Sequence, residues 1–149
     1  MAGKTNRRAA PAACIPNESD EQEIYFRYCG VEINRYPELF MLHHIPNGGS
    51  RHKAEAARLK MQGVRKGVPD ISLPVPKGKY HGMFIELKRR TGGTVSSDQK
   101  TWLKNLNKYG YAAAVCKGFD EAWEFTKAYL KNDTETLDKY ISRTLKRWA

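Results

Sequence analysis

The sequence predicts one α/β domain built on a central mixed β-sheet flanked by helices. Three observations carry this reading. The apolar periodicities run in the order α-β-α-β-β-α-β-α along 149 residues, a length that suits one domain. A helix-like segment, "SSDQKTWLKNLNKYG", separates the third strand-like run from the fourth, and a crossover of that length implies a parallel pair of strands. The composition, 40% hydrophobic and 11% aromatic, is that of a chain with a packed core.

The elements follow in order. Residues 1–16 are small, basic and proline-punctuated, and are expected to form a flexible basic arm. Order is expected from "NESDEQEIYFRYC", where Asn17 or Ser19 can cap a helix with an acidic first turn. Ile24, Tyr25 and Cys29 fall on neighbouring turns as an apolar stripe, and Gly30 and Pro37 bracket the helix end. "LFMLHHI", Leu39 to Ile45, reads as a buried strand, with one of His43 and His44 packed and the other at the surface because strand neighbours face opposite ways. "PNGGS" reads as a turn, and "RHKAEAARLKMQ" as a helix stopped at Gly63. "DISLPV" and "MFIELK" are strands joined by the basic loop "PKGKYHG". Ser96 and Gln99 fit a capping box at the start of the next helix, whose apolar face is Trp102, Leu103 and Leu106, with Gly110 as its stop. "YAAAVCK" is the last strand, and "FDEAWEFTKAYL" a helix with Ala122, Trp123, Phe125 and Leu130 turned inward. Residues 132–149 are expected to form a loosely attached helical tail, leaving 17–131 as the domain proper.

The formal net charge of +10 points to a polyanionic partner. No apolar run is long enough to span a bilayer, no secretory h-region is visible, and no basic helix is hydrophobic enough to bind a membrane surface. Three cysteines at unrelated spacings suggest free thiols in a reducing, cytoplasmic compartment. Basic residues crowd two segments. Arg51, Lys53, Arg58, Lys60, Arg65 and Lys66 face one acid, Glu55, and Lys77, Lys79, Lys88, Arg89 and Arg90 face Glu86. That is the pattern of phosphate-backbone binding, and no base-reading motif accompanies it. Beside the first segment, Asn47 and two following glycines allow a phosphate to approach the backbone.

Two acids stand out within this basic chain. Asp70 opens one strand directly after Pro69, and Glu86 lies with Lys88 at i and i+2 on the next, so that their side chains share a face while Ile85 and Leu87 turn to the core. If the two strands pair, Asp70 comes close to Glu86. Paired carboxylates repel unless a cation lies between them, and Mg²⁺ typically takes one or two carboxylates and keeps several waters. Such an ion can activate water and stabilise the leaving oxygen of a phosphodiester, with Lys88 neutralising charge at the phosphate. Glu18 on the first helix can join the site, with Glu21 as its rival on the same turn, and Gln99 can either reach the site or complete the capping box. The competing reading is a basic nucleic-acid-binding module without catalysis.

In their order, "IPNGG", "AARLKMQGVRKGVPDISLPVP", "FIELK" and "SSDQ" resemble the VRR-NUC domain, the virus-type replication-repair nuclease branch of the PD-(D/E)XK nucleases, in a compact stand-alone form of the kind common in phages and prophages. The resemblance spans roughly Glu18 to Leu130. It implies a restriction-endonuclease-like core and hydrolysis of DNA dependent on Mg²⁺ or Mn²⁺. Position by position, Asp70 matches the PD acid, Glu86 and Lys88 the E-x-K pair, Glu18 the acid of the first helix, and Gln99 the polar residue opening the helix after the E-x-K strand. The metal ligands so implied are Asp70, Glu86 and Glu18, and a homodimer acting on branched DNA such as Holliday junctions is expected by the same analogy.

Overall fold

The computed structural model describes residues 14–47 and 52–148. Most of the basic arm, the two glycines after Asn47, and Arg51 lie outside the described residues. Helix α1 spans Glu18–Glu32, a short 3₁₀ turn Pro37–Met41, strand β1 His43–His44, and α2 Lys53–Met61. Strands β2 (Ile71–Leu73) and β3 (Met83–Lys88) follow, then α3 (Ser97–Lys108), β4 (Ala112–Lys117), α4 (Gly118–Leu130) and α5 (Thr134–Lys146).

Local chemistry sets the helix starts. Asn17, not Ser19, caps α1, and forms a reciprocal capping box with Asp20. Ser96 and Gln99 form the same device at α3. The sheet order is β1-β2-β3-β4, with β1–β2 and β2–β3 antiparallel and β3–β4 parallel, so the crossover through α3 does produce a parallel pair. Alternation along β3 divides the two layers. Ile85 and Leu87 enter a core with Tyr25 and Cys29 of α1 and with Ala122 and Phe125 of α4. Phe84 faces the other side, where Leu103 and Leu106 of α3 pack on Ala113 and Val115.

The sequence reading of Leu39–Ile45 as a buried strand is corrected. Pro37 sets the φ of a 3₁₀ turn that buries Leu39, and only His43–His44 remain extended. Both histidines are exposed, and their Nδ1 atoms lie against carbonyls, that of His43 at 3.0 Å from Met41 and that of His44 at 2.7 Å from Asp70. Within the predicted stripe of α1, Tyr25 and Cys29 are buried but Ile24 is exposed. Helix α2 buries none of its residues.

The C-terminal helix is not loosely attached. Leu137, Tyr140 and Thr144 of α5 are buried. Their helix also closes the outer edge of β4. The Thr144 hydroxyl accepts the Val115 N–H at 3.0 Å, and Arg143 donates to the Val115 carbonyl at 3.1 Å. Two residues away on each side, Asn107 bonds both backbone groups of Ala113, and the Glu121 carboxylate accepts the Lys117 N–H at 2.7 Å. Every second residue of an edge strand presents unpaired groups that invite another strand, and here side chains satisfy them. Among the described residues, no helix is long and apolar enough to cross a membrane. Because Leu137 is fully buried, Leu137→Ala should lower unfolding free energy by about 3 kcal/mol in a urea titration; a change within about 0.5 kcal/mol would show α5 to be dispensable.

Candidate active site

The β2–β3 register pairs Ile71 with Ile85 and Leu73 with Met83. Continued by one residue, it sets Asp70 opposite Glu86. The strands are held there by a side chain as well as by the ladder, since Asp70 Oδ2 accepts the Leu87 N–H at 2.8 Å. Asp70 also anchors β1, because its carbonyl accepts the Ile45 N–H at 2.7 Å.

Glu86 is fully buried. Its Oε1 accepts from Gln99 Nε2 at 2.5 Å and lies 2.7 Å from Lys88 Nζ. Its Oε2 is the single buried side-chain N or O atom without a hydrogen-bond partner among the described residues. Gln99 therefore performs both tasks that its position allowed. Its Oε1 accepts the Ser96 N–H at 2.9 Å in the capping box, and its amide nitrogen reaches the carboxylate. Glu18 Oε1 stands 3.9 Å from Lys88 Nζ on the solvent side. Lys88 is thus nearly buried between two acids.

A polar cavity of about 320 Å³ opens above these groups. Glu18, Asn47, Lys66, Asp70, Lys88 and Gln99 line it together with Gly67, Val68, Ser96 and Asp98. Asn47 Nδ2 donates to the Val68 carbonyl at 2.9 Å and fastens its loop to the rim. Gly67 makes the close approach possible. Its φ is +82°, and a Cβ there would fall 2.5 Å from the Asp98 carbonyl carbon. Gly67, Ser96 and Asp98 were not singled out as site residues from the sequence. Asp98 lay in the quoted "SSDQ", but only the packing of the 63–70 loop against α3 brings it into the cavity.

The other predicted residues are placed apart from one another. Glu21 does not face the cavity. It is fully buried and binds Arg90 Nε at 2.5 Å and the Phe119 N–H at 2.7 Å. Arg90 also pairs with Asp120, and so serves an internal ion network. Lys77 pairs with Glu38, and Lys79 lies over the Tyr80 ring. Both belong to the hairpin loop beyond Leu73 and Met83, the end of β3 opposite Lys88, so this loop does not line the approach to the cavity. Lys53 and Arg65 are exposed, and Arg89 donates to the Gly92 carbonyl at 3.2 Å.

The electrostatics follow from burial. Glu86 is pushed up from 4.5 to about 8, first by burial and then by the Asp70 charge, against the pull of Lys88. Asp70 is raised by burial too, opposed by the Leu87 amide and by Lys88. Burial would lower Lys88, but its hydrogen bond and charge interaction with Glu86, and the charges of Glu18 and Asp70, hold it above its ordinary value. Among the described residues, no three carboxylate, imidazole or thiol groups converge as a ready-made ligand set. The donors that do fit a hard divalent cation are two carboxylates, Asp70 and Glu86, one with an unpartnered oxygen, beside a polar cavity with room for water. Glu18 is separated from them by the Lys88 ammonium.

A mixed sheet that carries this acid pair and lysine between flanking helices is a PD-(D/E)XK-type fold. The VRR-NUC domain model matches residues 19–120, and the chain belongs to that family. A solved VRR-NUC domain protein is similar at 29% identity, with a TM-score of 0.68, over 78% of this chain and 89% of that one. No curated protein sequence matches the chain. The family is of nuclease type, with DNA as substrate.

Two predictions follow from this geometry. Glu86 binds a proton more tightly folded than unfolded, so its contribution to stability is full below pH about 4.5 and is lost as pH rises through about 8. In metal-free buffer, melting temperatures of the native chain should fall relative to those of Glu86→Gln across that window; parallel curves would refute the assignment. Arg90→Ala strands the buried Glu21 carboxylate and should cost about 2 kcal/mol or more in urea unfolding, whereas loss of DNA affinity at unchanged stability would make Arg90 a surface contact.

Proposed function

We propose that the chain is a metal-dependent DNA endonuclease, with Asp70 and Glu86 as the residues that hold Mg²⁺ or Mn²⁺. One observation carries this reading: a fully buried glutamate with an unpartnered oxygen, set opposite a second acid, Asp70, that lines a polar cavity. A divalent ion bound there would polarise the phosphodiester, lower the pKa of water and stabilise the leaving oxygen.

The chain's own groups have separate tasks. Gln99 holds Oε1 of Glu86 and so aims Oε2. The Leu87 N–H holds Oδ2 of Asp70 and leaves Oδ1 to the cavity. Lys88 supplies a positive charge at the cavity wall, where it can neutralise an oxygen of the scissile phosphate. Glu18 adds its charge to that of Glu86 in holding Lys88 protonated, and is a candidate outer ligand through water. Asn47 and Lys66 on the rim suit contacts to neighbouring phosphates, with the exposed Lys53, Arg65 and Arg89 as further cations for the backbone. A binding module without catalysis explains the basic surface equally well. It gives no reason to bury the Glu86 carboxylate and half-bury that of Asp70 beside it, since carboxylates repel phosphate and lose hydration.

Selectivity for branched DNA and action as a homodimer belong to this proposal as its finer part. They rest on family analogy and on the need to cut two strands. The test incubates the purified chain with supercoiled, linear and four-way-junction DNA in Mg²⁺, Mn²⁺ or EDTA, with light scattering for mass. Cleavage only with metal, fastest on the junction, by a dimeric species is expected. Asp70→Ala and Glu86→Ala should each reduce the rate about a thousandfold or more while DNA binding persists. Cleavage at the native rate by either variant would overturn the assignment, and cleavage in EDTA would overturn the metal.

A further inference from the structure

A second cavity lies along α3, one turn beyond the site. It has a volume of about 360 Å³, within the range of small-ligand pockets, and is lined by Thr101, Trp102, Asn105, Leu106, Tyr109 and Tyr111. Three of the six are aromatic, and two carry short polar groups. Tyr109, the residue that caps the C-terminus of α3, is 64% exposed although its ring is large. Tyr111 is held edge-on by His81 and Phe84, so its wall is stiff.

A hydrogen bond links this groove to the candidate active site. The Trp102 indole N–H donates to the Lys66 carbonyl at 2.9 Å, and Lys66 lines the site cavity. Asp98, at the site, and Asn105, mid-groove, lie seven residues apart on one helix, or about 10 Å along its axis. Charge at the groove is basic. Lys108 Nζ sits 5.5 Å from the Tyr109 ring centre and the Lys66 backbone is bonded to Trp102, while Lys100 and Lys104 are drawn to Trp148.

We propose that this groove is a subsite for an unpaired nucleobase of the DNA substrate, stacked against Tyr109 and Trp102, with its phosphate directed to Lys66 and Lys108. The inference rests on the DNA reading above and adds to it the feature of the substrate being read. Aromatic rings with flanking lysines suit a base on a backbone, since every base offers a π-face. Asn105 and Thr101 supply hydrogen bonds to a base edge. A subsite of this kind favours DNA that has already lost pairing beside the scissile bond, as at a fork or junction.

The test measures binding rather than cleavage. Fluorescence anisotropy in EDTA compares a forked DNA bearing unpaired thymines with the same fork made abasic at those positions, and with a fully paired duplex. The native chain should bind the thymine fork about tenfold more tightly than the abasic fork. Tyr109→Ala, at an exposed position, should erase that preference without altering duplex affinity, and Tyr109→Phe should retain it. Equal affinity of the native chain for both forks, or a preference that survives Tyr109→Ala, overturns the subsite and leaves the nuclease reading intact. A preference that behaves as expected in a chain that cleaves nothing in Mg²⁺ or Mn²⁺ supports the subsite and sinks the nuclease reading. No binding to any of the three DNAs overturns both.

Discussion

A buried carboxylate with too few partners governs this structure. Glu86 sits mid-sheet with no solvent access, and its ionised form is costly there. Three groups converge to hold it. Lys88 comes from the same strand face, Gln99 from the start of α3, and the strand itself is pinned by Asp70 through the Leu87 N–H. None of them satisfies Oε2. The cost shows in the pKa of Glu86, which burial and the Asp70 charge push up to about 8.

The supports of Glu86 are themselves supported. Gln99 reaches the carboxylate only because its other amide atom is tied to the Ser96 N–H, which limits its rotamers. The start of α3 comes close enough because Gly67 has no side chain to collide with Asp98. Helix α3 is placed in turn by Leu103 and Leu106 on the sheet, and the edge strand below it is sealed by Asn107 and by α5. A shift in α5 therefore bears on the site through β4 and α3. This makes the C-terminal helix part of the working domain, although the VRR-NUC match ends at residue 120.

Charge is used in two ways by residues of similar appearance. Glu18 and Glu21 are three positions apart on α1, yet one faces the cavity and the other is locked to Arg90 and to the first turn of α4. Lys66 and Lys77 are both loop lysines. One rims the site, and the other is paired with Glu38 at the far end of the sheet. The 26 lysines and arginines therefore outnumber the cations free to meet a phosphate, because some, such as Lys77 and Arg90, are held in ion pairs.

Much of the chain was legible without its fold. Strand periodicity placed Glu86 and Lys88 on one face and Leu87 on the other, and side-chain alternation is a property of the backbone alone. Capping chemistry marked both Asn17 and Ser96, since it depends on residues three apart. The α3 crossover implied the parallel pair, and the motif order implied the family. What required tertiary structure was every choice among equals. The sequence could not say whether Glu18 or Glu21 serves the site, as both lie in the same helical turn and only the packing of α1 on α4 separates them. It misread Leu39–Ile45 because an apolar run has no period that distinguishes a 3₁₀ turn from a strand. It grouped the hairpin lysines with Glu86 in one phosphate-binding segment because closeness in sequence hides the length of β3. The acids, their spacing and their strand face were written in the chain. Which of them meet, and which cations are left free for DNA, was decided by long-range packing, which local pattern does not encode.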